Sequence, residues 1–360
     1  MKIIFDNIIY SIQKGGGISF YWSELIKRFQ NYENLVLYEN KNKNIFQKKL
    51  NIKIKREFIF HKILRYLPFT KKIPSKSIFH SSYYRTSFQK NIIKIVTVYD
   101  FTYERYRSGF AKIIHTWQKK IAINNADGVI CISNNTKNDL FKNYPYINKK
   151  KVKTIYISAS EDFYKLKKKD KIIVKTKFKN LVNKKVILYV GDRKSIYKNF
   201  ILAVDIVSSL QNYNLVIVGT NKITINEKKL LNEKLKGKFY HFLNLSSKEL
   251  NFLYNISHCL LYPSSYEGFG IPVIEAMKSG CPVLSTNTSS ISEIAKGAAL
   301  LVDEIKKEKF IEGIRLFENK NVRSKFIRRG FLQASKFSWE KCFLQTKNFY
   351  RQIYFSKFER

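Results

Sequence analysis

Short apolar runs alternate with amphipathic stretches along most of the chain, in two series. KIIF (2–5), NLVLY (34–38), IIKIVTVY (92–99) and GVICIS (128–133) form the first. VILYVG (186–191), NLVIVG (214–219), CLLYPS (259–264) and PVLST (282–286) form the second. Each run is predominantly apolar and four to eight residues long, the pattern of a strand buried on both faces. Between strands, ISFYWSELIKRF puts Ile18, Trp22, Leu25, Ile26 and Phe29 on one face of a predicted helix. Helices covering such strands predict α/β architecture with parallel sheets. The basic stretch YKLKKKDKIIVKTKFKNLVNKK (164–185) interrupts the pattern and reads as the passage between two domains. The expected division is residues 1–165, a linker at 166–182, residues 183–338, and a C-terminal helical piece at 339–360.

Length and composition narrow the picture. At 360 residues the chain suits two domains of ordinary size. No run of eighteen uncharged apolar residues predicts a membrane-spanning helix. MKIIFDNIIY meets Asp6 too early for a secretory leader and reads as a first strand. Cys131, Cys259, Cys281 and Cys342 are widely spaced without a C-x-x-C pair, as expected of reduced, buried thiols. The formal net charge is +40, from 67 basic against 27 acidic residues. Such charge favours anionic partners: an acidic lipid surface, phosphorylated small molecules or nucleic acid. A coding bias toward Lys, Ile and Asn gives the same composition without function. No zinc-finger spacing, RNA-recognition aromatic motif or helix-turn-helix pattern supports nucleic acid.

Three glycine-containing constellations carry candidate chemistry. In YEGFGIPVIEAM (266–277) a strand leads into a loop and then a helix starting near Pro272, with Gly280 just past its end. Glu267 falls in the loop and Glu275 in the expected first helical turn. Gly268 and Gly270 let backbone N–H groups approach a ligand, and the helix start adds donors and a positive dipole end. Singly, Glu275 reads equally as dipole complementation and Glu267 as a solvated loop acid; the whole pattern points to a cradle for hydroxyls and phosphate. In VGDRKSIYKN, Arg193 and Lys198 follow a strand ending at Gly191, a pairing that suits a diphosphate. In SIQKGGGISFYWSEL, the triplet Gly15–Gly17 precedes a helix, but the dinucleotide-loop and P-loop spacings are both missing, so a plain tight turn fits equally.

Together these pieces resemble the retaining glycosyltransferases of family 4, of GT-B fold: two Rossmann-like parallel-sheet domains facing a central cleft. The block 266–303, with its E-x7-E motif, carries the resemblance most specifically. ADGVICISNNTKNDL (126–140), YVGDRKSIYKN (189–199), LVIVGTN (215–221) and GGISFYWSEL (16–25) extend it over nearly the whole chain. The resemblance implies transfer of a sugar from a nucleotide-sugar donor, GDP- or UDP-linked, to a glycan or polyprenyl-linked acceptor in bacterial O-antigen or capsule synthesis. It implies catalytic roles for Glu267, Arg193 and Lys198, with the two cations on the donor diphosphate. It implies donor binding by Gly16, Gly17, Gly268, Phe269, Gly270 and Glu275, the last on the ribose hydroxyls. GGISFYWSEL leans toward a GDP-mannose type of donor. No metal and no cofactor is implied, and the C-terminal helix is expected to return to the N-terminal domain.

One departure is visible. In IVTVYDFTYE, Tyr99 stands where the family commonly has His before Asp. A phenol with an ordinary pKa of about 10 is a poor proton shuttle near neutrality, so Tyr99 is expected to be auxiliary, contacting sugar or acceptor. His80 in FHSSYYR is a second candidate for such a contact, with a satisfied core histidine as the structural alternative. Ser290-Ile-Ser-Glu293 fits a capping box better than a ligand contact. REFIFHKILRYLPFTKKIPSK (56–76) mixes aromatic, aliphatic and basic residues and fits either an anionic membrane interface or a basic surface helix with its apolar face on the domain core; a cytoplasmic, peripheral location is expected from the first. A nucleotide-sugar epimerase and a noncatalytic basic membrane- or nucleic-acid-binding protein are the alternatives.

Overall fold

A computed structural model of the protein describes residues 1–32, 34–47, 54–57 and 65–359. Part of the basic-aromatic stretch 56–76, residues 58–64, lies outside the described residues. The chain forms two compact units: residues 1–157 with 338–360, and residues 158–337.

The first unit holds a seven-stranded sheet in the order β3-β2-β1-β4-β5-β6-β7. Its strands are β1 (Lys2–Asp6), β2 (Leu35–Glu39), β3 (Ile54–Arg56), β4 (Ser77–Ser81), β5 (Ile93–Val98), β6 (Gly128–Cys131) and β7 (Val152–Thr154). All pairings are parallel. The Gly17–Phe29 helix buries Trp22, Leu25, Ile26 and Phe29 as the periodicity predicts, and adds Tyr21; Ile18 is only partly covered. The Trp339–Phe358 helix packs on this unit. Tyr350 stacks on Phe29 at 5.8 Å between ring centroids, and Trp339 meets Phe20 edge-on at 5.5 Å.

The second unit holds a six-stranded sheet in the order β10-β9-β8-β11-β12-β13, again entirely parallel. Its strands are β8 (Lys185–Val190), β9 (Tyr213–Gly219), β10 (Phe239–Leu243), β11 (Cys259–Tyr262), β12 (Val283–Thr286) and β13 (Leu300–Val302). Ile187, Leu215, Ile217, Leu261 and Leu284 are fully buried and form one core with the Phe200–Ser208 helix. The stretch expected as a linker is more ordered than its lysines imply: it holds the Lys168–Lys177 helix and belongs to this unit. Val174 and Phe178 are buried there, so apolar spacing survives within the lysine run.

In the second sheet β8 lies between β9 and β11. Chain order therefore reverses between β8 and β11, and their following loops diverge, opening a crevice at the carboxyl edge. Both loops carry candidate residues. All four cysteines are buried and free.

Candidate active site

The loop after β8 turns through a short helical segment, Ile196–Lys198, and ends on Asn199 in the left-handed conformation (φ 51°). Asn tolerates that region better than most residues. Its side-chain amide donates to the Pro263 carbonyl at 2.8 Å and to Ser265 Oγ at 2.7 Å, tying this loop to the one after β11. Lys198 Nζ thereby reaches Glu267 Oε1 at 2.5 Å and the Tyr262 hydroxyl oxygen at 2.9 Å. Lys198 and Glu267 side chains keep 14% and 12% of their surface exposed.

The Glu267 loop is clamped from a third side. Its backbone N–H donates to Ser289 Oγ at 2.9 Å, and Ser290 Oγ donates to its carbonyl at 2.8 Å. Ser290 is thus not the start of a capping box: the Ser289–Ala295 helix has Thr288 at its N-cap with no side-chain cap. The expected pairing with Glu293 is corrected, because holding the Glu267 loop takes the hydroxyl instead.

The Ile271–Lys278 helix starts at Gly270, which sits at φ 97°, a conformation that favours glycine. Pro272 is its second residue, so losing that N–H orphans nothing. Gly280 follows the C-cap at φ 73°, with room for no more: an added Cβ would lie 2.9 Å from Phe331. Glu275 falls in the second turn rather than the first, a one-residue correction that removes it from the dipole-complementing positions. Its Oε2 accepts from the Tyr254 hydroxyl at 2.9 Å. Burial pushes its carboxyl up to about 7, against the lowering effect of that bond.

Arg193 takes a different place from Lys198. Its side chain is 1% exposed. Nε donates to Glu227 Oε1 at 3.0 Å, Nη1 meets His241 Nε2 at 3.2 Å, and Nη2 donates to the carbonyls of Asn221 and Lys222, each at 3.0 Å. Burial raises the Glu227 pKa but the Arg193 and Thr224 hydrogen bonds outweigh it, leaving a net lowering. The guanidinium therefore braces the turn after β9. The expectation that Arg193 and Lys198 act as a matched pair is not met by this geometry, because a buried charge needs its full set of acceptors.

The remaining candidates belong to the first unit. Gly16 precedes the Gly17–Phe29 helix, and the Ser19 hydroxyl donates back to its carbonyl at 3.0 Å. Tyr99, 4% exposed, donates to the Ser82 carbonyl at 3.0 Å. His80 is fully buried on β4: Nδ1 lies 2.5 Å from the Tyr350 hydroxyl and Nε2 lies 3.0 Å from Thr97 Oγ1. Burial drives its pKa down to about 3. Both ring nitrogens have internal partners, so the expectation of a sugar contact at His80 is corrected to a core role. Phe269 is likewise buried, its ring edge-on to Phe337 at 5.7 Å.

Sequence reasoning missed Tyr262, Asn199, Ser289 and Tyr254, which position Lys198, the two loops, Glu267 and Glu275. Tyr262 and Asn199 lie inside motifs already singled out, so their adjacency was the available signal. Among the described residues no group of three or more His, Cys, Asp or Glu is placed to hold a metal ion.

Residues 170–333 match the family model described as glycosyl transferases group 1. The chain is 36% identical over 107 residues to O-antigen chain mannosyltransferase B of Escherichia coli, covering 29% of this chain and 28% of that protein. It is 29% identical over 215 residues to the O-antigen chain mannosyltransferase RfbU of Salmonella typhimurium, covering 58% and 56%. The chain thus spans between about a quarter and about a half of these relatives. Over 97% of its length it superposes on 98% of Anabaena HepE, crystallised with UDP and glucose, at a TM-score of 0.76 and 15% identity. That likeness establishes the fold, the double parallel-sheet arrangement called GT-B.

Proposed function

We propose that this chain, whose residues 170–333 match the group 1 glycosyl transferase model, transfers a hexosyl unit from a nucleotide sugar to a glycan or polyprenyl-linked acceptor, retaining anomeric configuration. The carrying observation is the convergence of Lys198 and Glu267 at the β8–β11 crossover, beside the helix that bears Glu275. Lys198 neutralises charge developing on the departing diphosphate. Glu267 accepts from donor-sugar hydroxyls and releases Lys198 as it does so. Glu275 accepts from the ribose hydroxyls, while backbone N–H groups of Gly268–Gly270 and the helix start complete the cradle. In a front-face displacement the departing phosphate takes the acceptor's proton, so the protein supplies orientation and charge stabilisation without a dedicated base. The scheme requires no metal. Gly16 and Gly17 are further donor contacts in this reading, and Tyr99 stays auxiliary.

The O-antigen chain mannosyltransferase relatives support a mannosyl donor and polysaccharide synthesis as the setting, and GDP-mannose is the donor this reading tests first. The UDP complex of HepE keeps UDP-sugars in the test panel. Thermal shift against GDP-, UDP- and ADP-sugars decides: ligand at one hundred times its dissociation constant adds about 2.7 kcal/mol. No shift from any nucleotide sugar in wild-type protein sinks the reading. Donor turnover without acceptor favours the epimerase instead, and product NMR reads the anomeric outcome.

Membrane attachment rests on a separate feature. The Gly109–Asn125 helix exposes Phe110 (83%), Ile113 (63%) and Trp117 (61%). Trp117 shares a small cavity with Leu67 and Phe88, both also exposed. Arg107, Lys71, Lys72, Lys90 and Lys120 are exposed as well. Apolar side chains accompanied by cations suit an anionic lipid surface. Among the described residues no helix is long and apolar enough to cross a membrane. Sedimentation with anionic vesicles is expected to fall at least tenfold in Phe110→Glu/Trp117→Glu; equal binding to neutral vesicles counts against attachment by charge.

A further inference from the structure

Tyr262 is the last residue of β11 and is 1% exposed. Its backbone is fixed by the parallel ladder to β12, where it pairs with Ser285. Ser285 Oγ also donates to the Tyr262 carbonyl at 2.6 Å. A ring packed at a buried strand end has little freedom to turn. Glu267 is held differently. Ser289 and Ser290 clamp its loop through backbone atoms, not through the carboxylate.

These two residues share one ammonium. Lys198 Nζ donates to Glu267 Oε1 at 2.5 Å and to the Tyr262 hydroxyl oxygen at 2.9 Å. The two acceptors are unlike. A carboxylate cancels the charge of the lysine, whereas a protonated phenol does not. Burial, and then the charge of Glu267, hold the Tyr262 pKa well above the ordinary phenol value. The hydroxyl therefore keeps its proton and stays a neutral acceptor. In the transfer proposed above, Glu267 turns to the hydroxyls of the donor sugar and so leaves Lys198. A lysine stem freed of its only anchor regains its rotamers. An ammonium that wanders then meets the departing diphosphate poorly. The Tyr262 oxygen is the partner that stays.

We propose that Tyr262 is a positioning residue for this transfer: its neutral hydroxyl holds the Lys198 ammonium in place, with its charge uncancelled, when Glu267 turns to the donor sugar. This role rests on the glycosyltransferase reading above. Before the donor arrives the Lys198–Glu267 pair is closed. Once the sugar has drawn the acid away, the full charge faces the diphosphate from a fixed point. A nucleoside diphosphate without its sugar gives Glu267 no reason to leave, so the hydroxyl matters for the nucleotide sugar and not for the nucleotide.

The test is calorimetry on the full chain with three ligand pairs: GDP-mannose and GDP, UDP-glucose and UDP, ADP-glucose and ADP. The pair whose nucleotide sugar binds the wild type is carried forward. Tyr262→Phe removes one oxygen and keeps the ring. It is expected to weaken the nucleotide sugar about tenfold and to leave the nucleoside diphosphate within twofold of wild type. Lys198→Arg keeps the charge but shifts it off that oxygen. It is expected to show the same split, and it carries the test without touching the core should Tyr262→Phe fail to fold. Equal weakening of both ligands makes the hydroxyl merely structural and overturns the proposal. So does a nucleotide-sugar affinity within twofold of wild type in Tyr262→Phe or, where that variant does not fold, in Lys198→Arg. With donor binding present in the wild type, either result sinks the role of Tyr262 alone and leaves the transferase reading standing. No binding of any nucleotide sugar by the wild type sinks that reading, and the role of Tyr262 with it.

Discussion

In the loop after β8, Arg193 and Lys198 are two cations with opposite fates. Arg193 is closed in by Glu227, His241 and two carbonyls, whereas Lys198 keeps its ion pair with Glu267 at the rim of the crevice. Only the second pair can exchange partners with a ligand, because its surroundings remain wet enough for both ions to part. A guanidinium with four internal acceptors is a structural brace, since breaking the set strands a buried charge.

The sharpest way to break the comparison is Glu267→Ala. Removing a group that acts on the donor sugar is expected to lower kcat by about 10²–10³-fold with the fold intact; a change under threefold in steady-state turnover removes Glu267 from the chemistry. Next comes Arg193→Ala, expected to cost about 3 kcal/mol in denaturant unfolding because Glu227 loses a buried partner. If it instead stays stable but loses nucleotide-sugar binding, Arg193 is a diphosphate ligand after all.

A smaller effect sharpens the role of Glu275. Its folded pKa of about 7 lies above the ordinary carboxylate value. Between about pH 4.5 and 7 the folded state then binds more protons than the unfolded one, so stability falls as pH rises and levels off above 7. With solvent screening on a partly exposed residue, the fall is about 2 kcal/mol. Hydroxyl donors prefer the ionised carboxylate, so donor affinity is expected to rise over the same interval. Glu275→Gln removes its share of the stability slope and flattens the donor-affinity profile, read by unfolding and by calorimetry from pH 5 to 8; Glu39, pushed up to about 7 by burial, keeps part of the stability slope in the variant, and profiles unchanged from wild type exclude Glu275 as a titrating group. The smallest expected effect is Tyr99→Phe, about 1 kcal/mol of stability from the lost bond to Ser82. Turnover should stay within twofold, and its abolition with donor binding intact makes the phenol essential.

Much of the fold was readable from apolar runs. β1, β2, β5, β6, β8, β9, β11 and β12 all fall on segments such as KIIF, VILYVG and PVLST. The strands left unread are β4 (SIFHS), whose polar residues interrupt the apolar run, and β3 (IKR), β7 (VKT), β10 (FYHFL) and β13 (LLV), which are short or mix in charge. β3, β7, β10 and β13 are all sheet edges, where one side needs no apolar cover. The turn signals were similarly legible: Gly270, Pro272 and Gly280 bracket the Ile271–Lys278 helix because their backbone preferences are local.

By itself the sequence determined the two parallel sheets, the loop-and-helix cradle around Glu267, and the residue types available there. Tertiary structure alone decided the partners: Lys198 with Glu267 across 69 positions, Arg193 with Glu227 across 34, His80 with Tyr350 across 270. Propensity and capping act over a few residues, so a local reading recovers them. Whether a charge is free or enclosed depends on which distant acceptors the folded chain carries to it, and no local pattern holds that information.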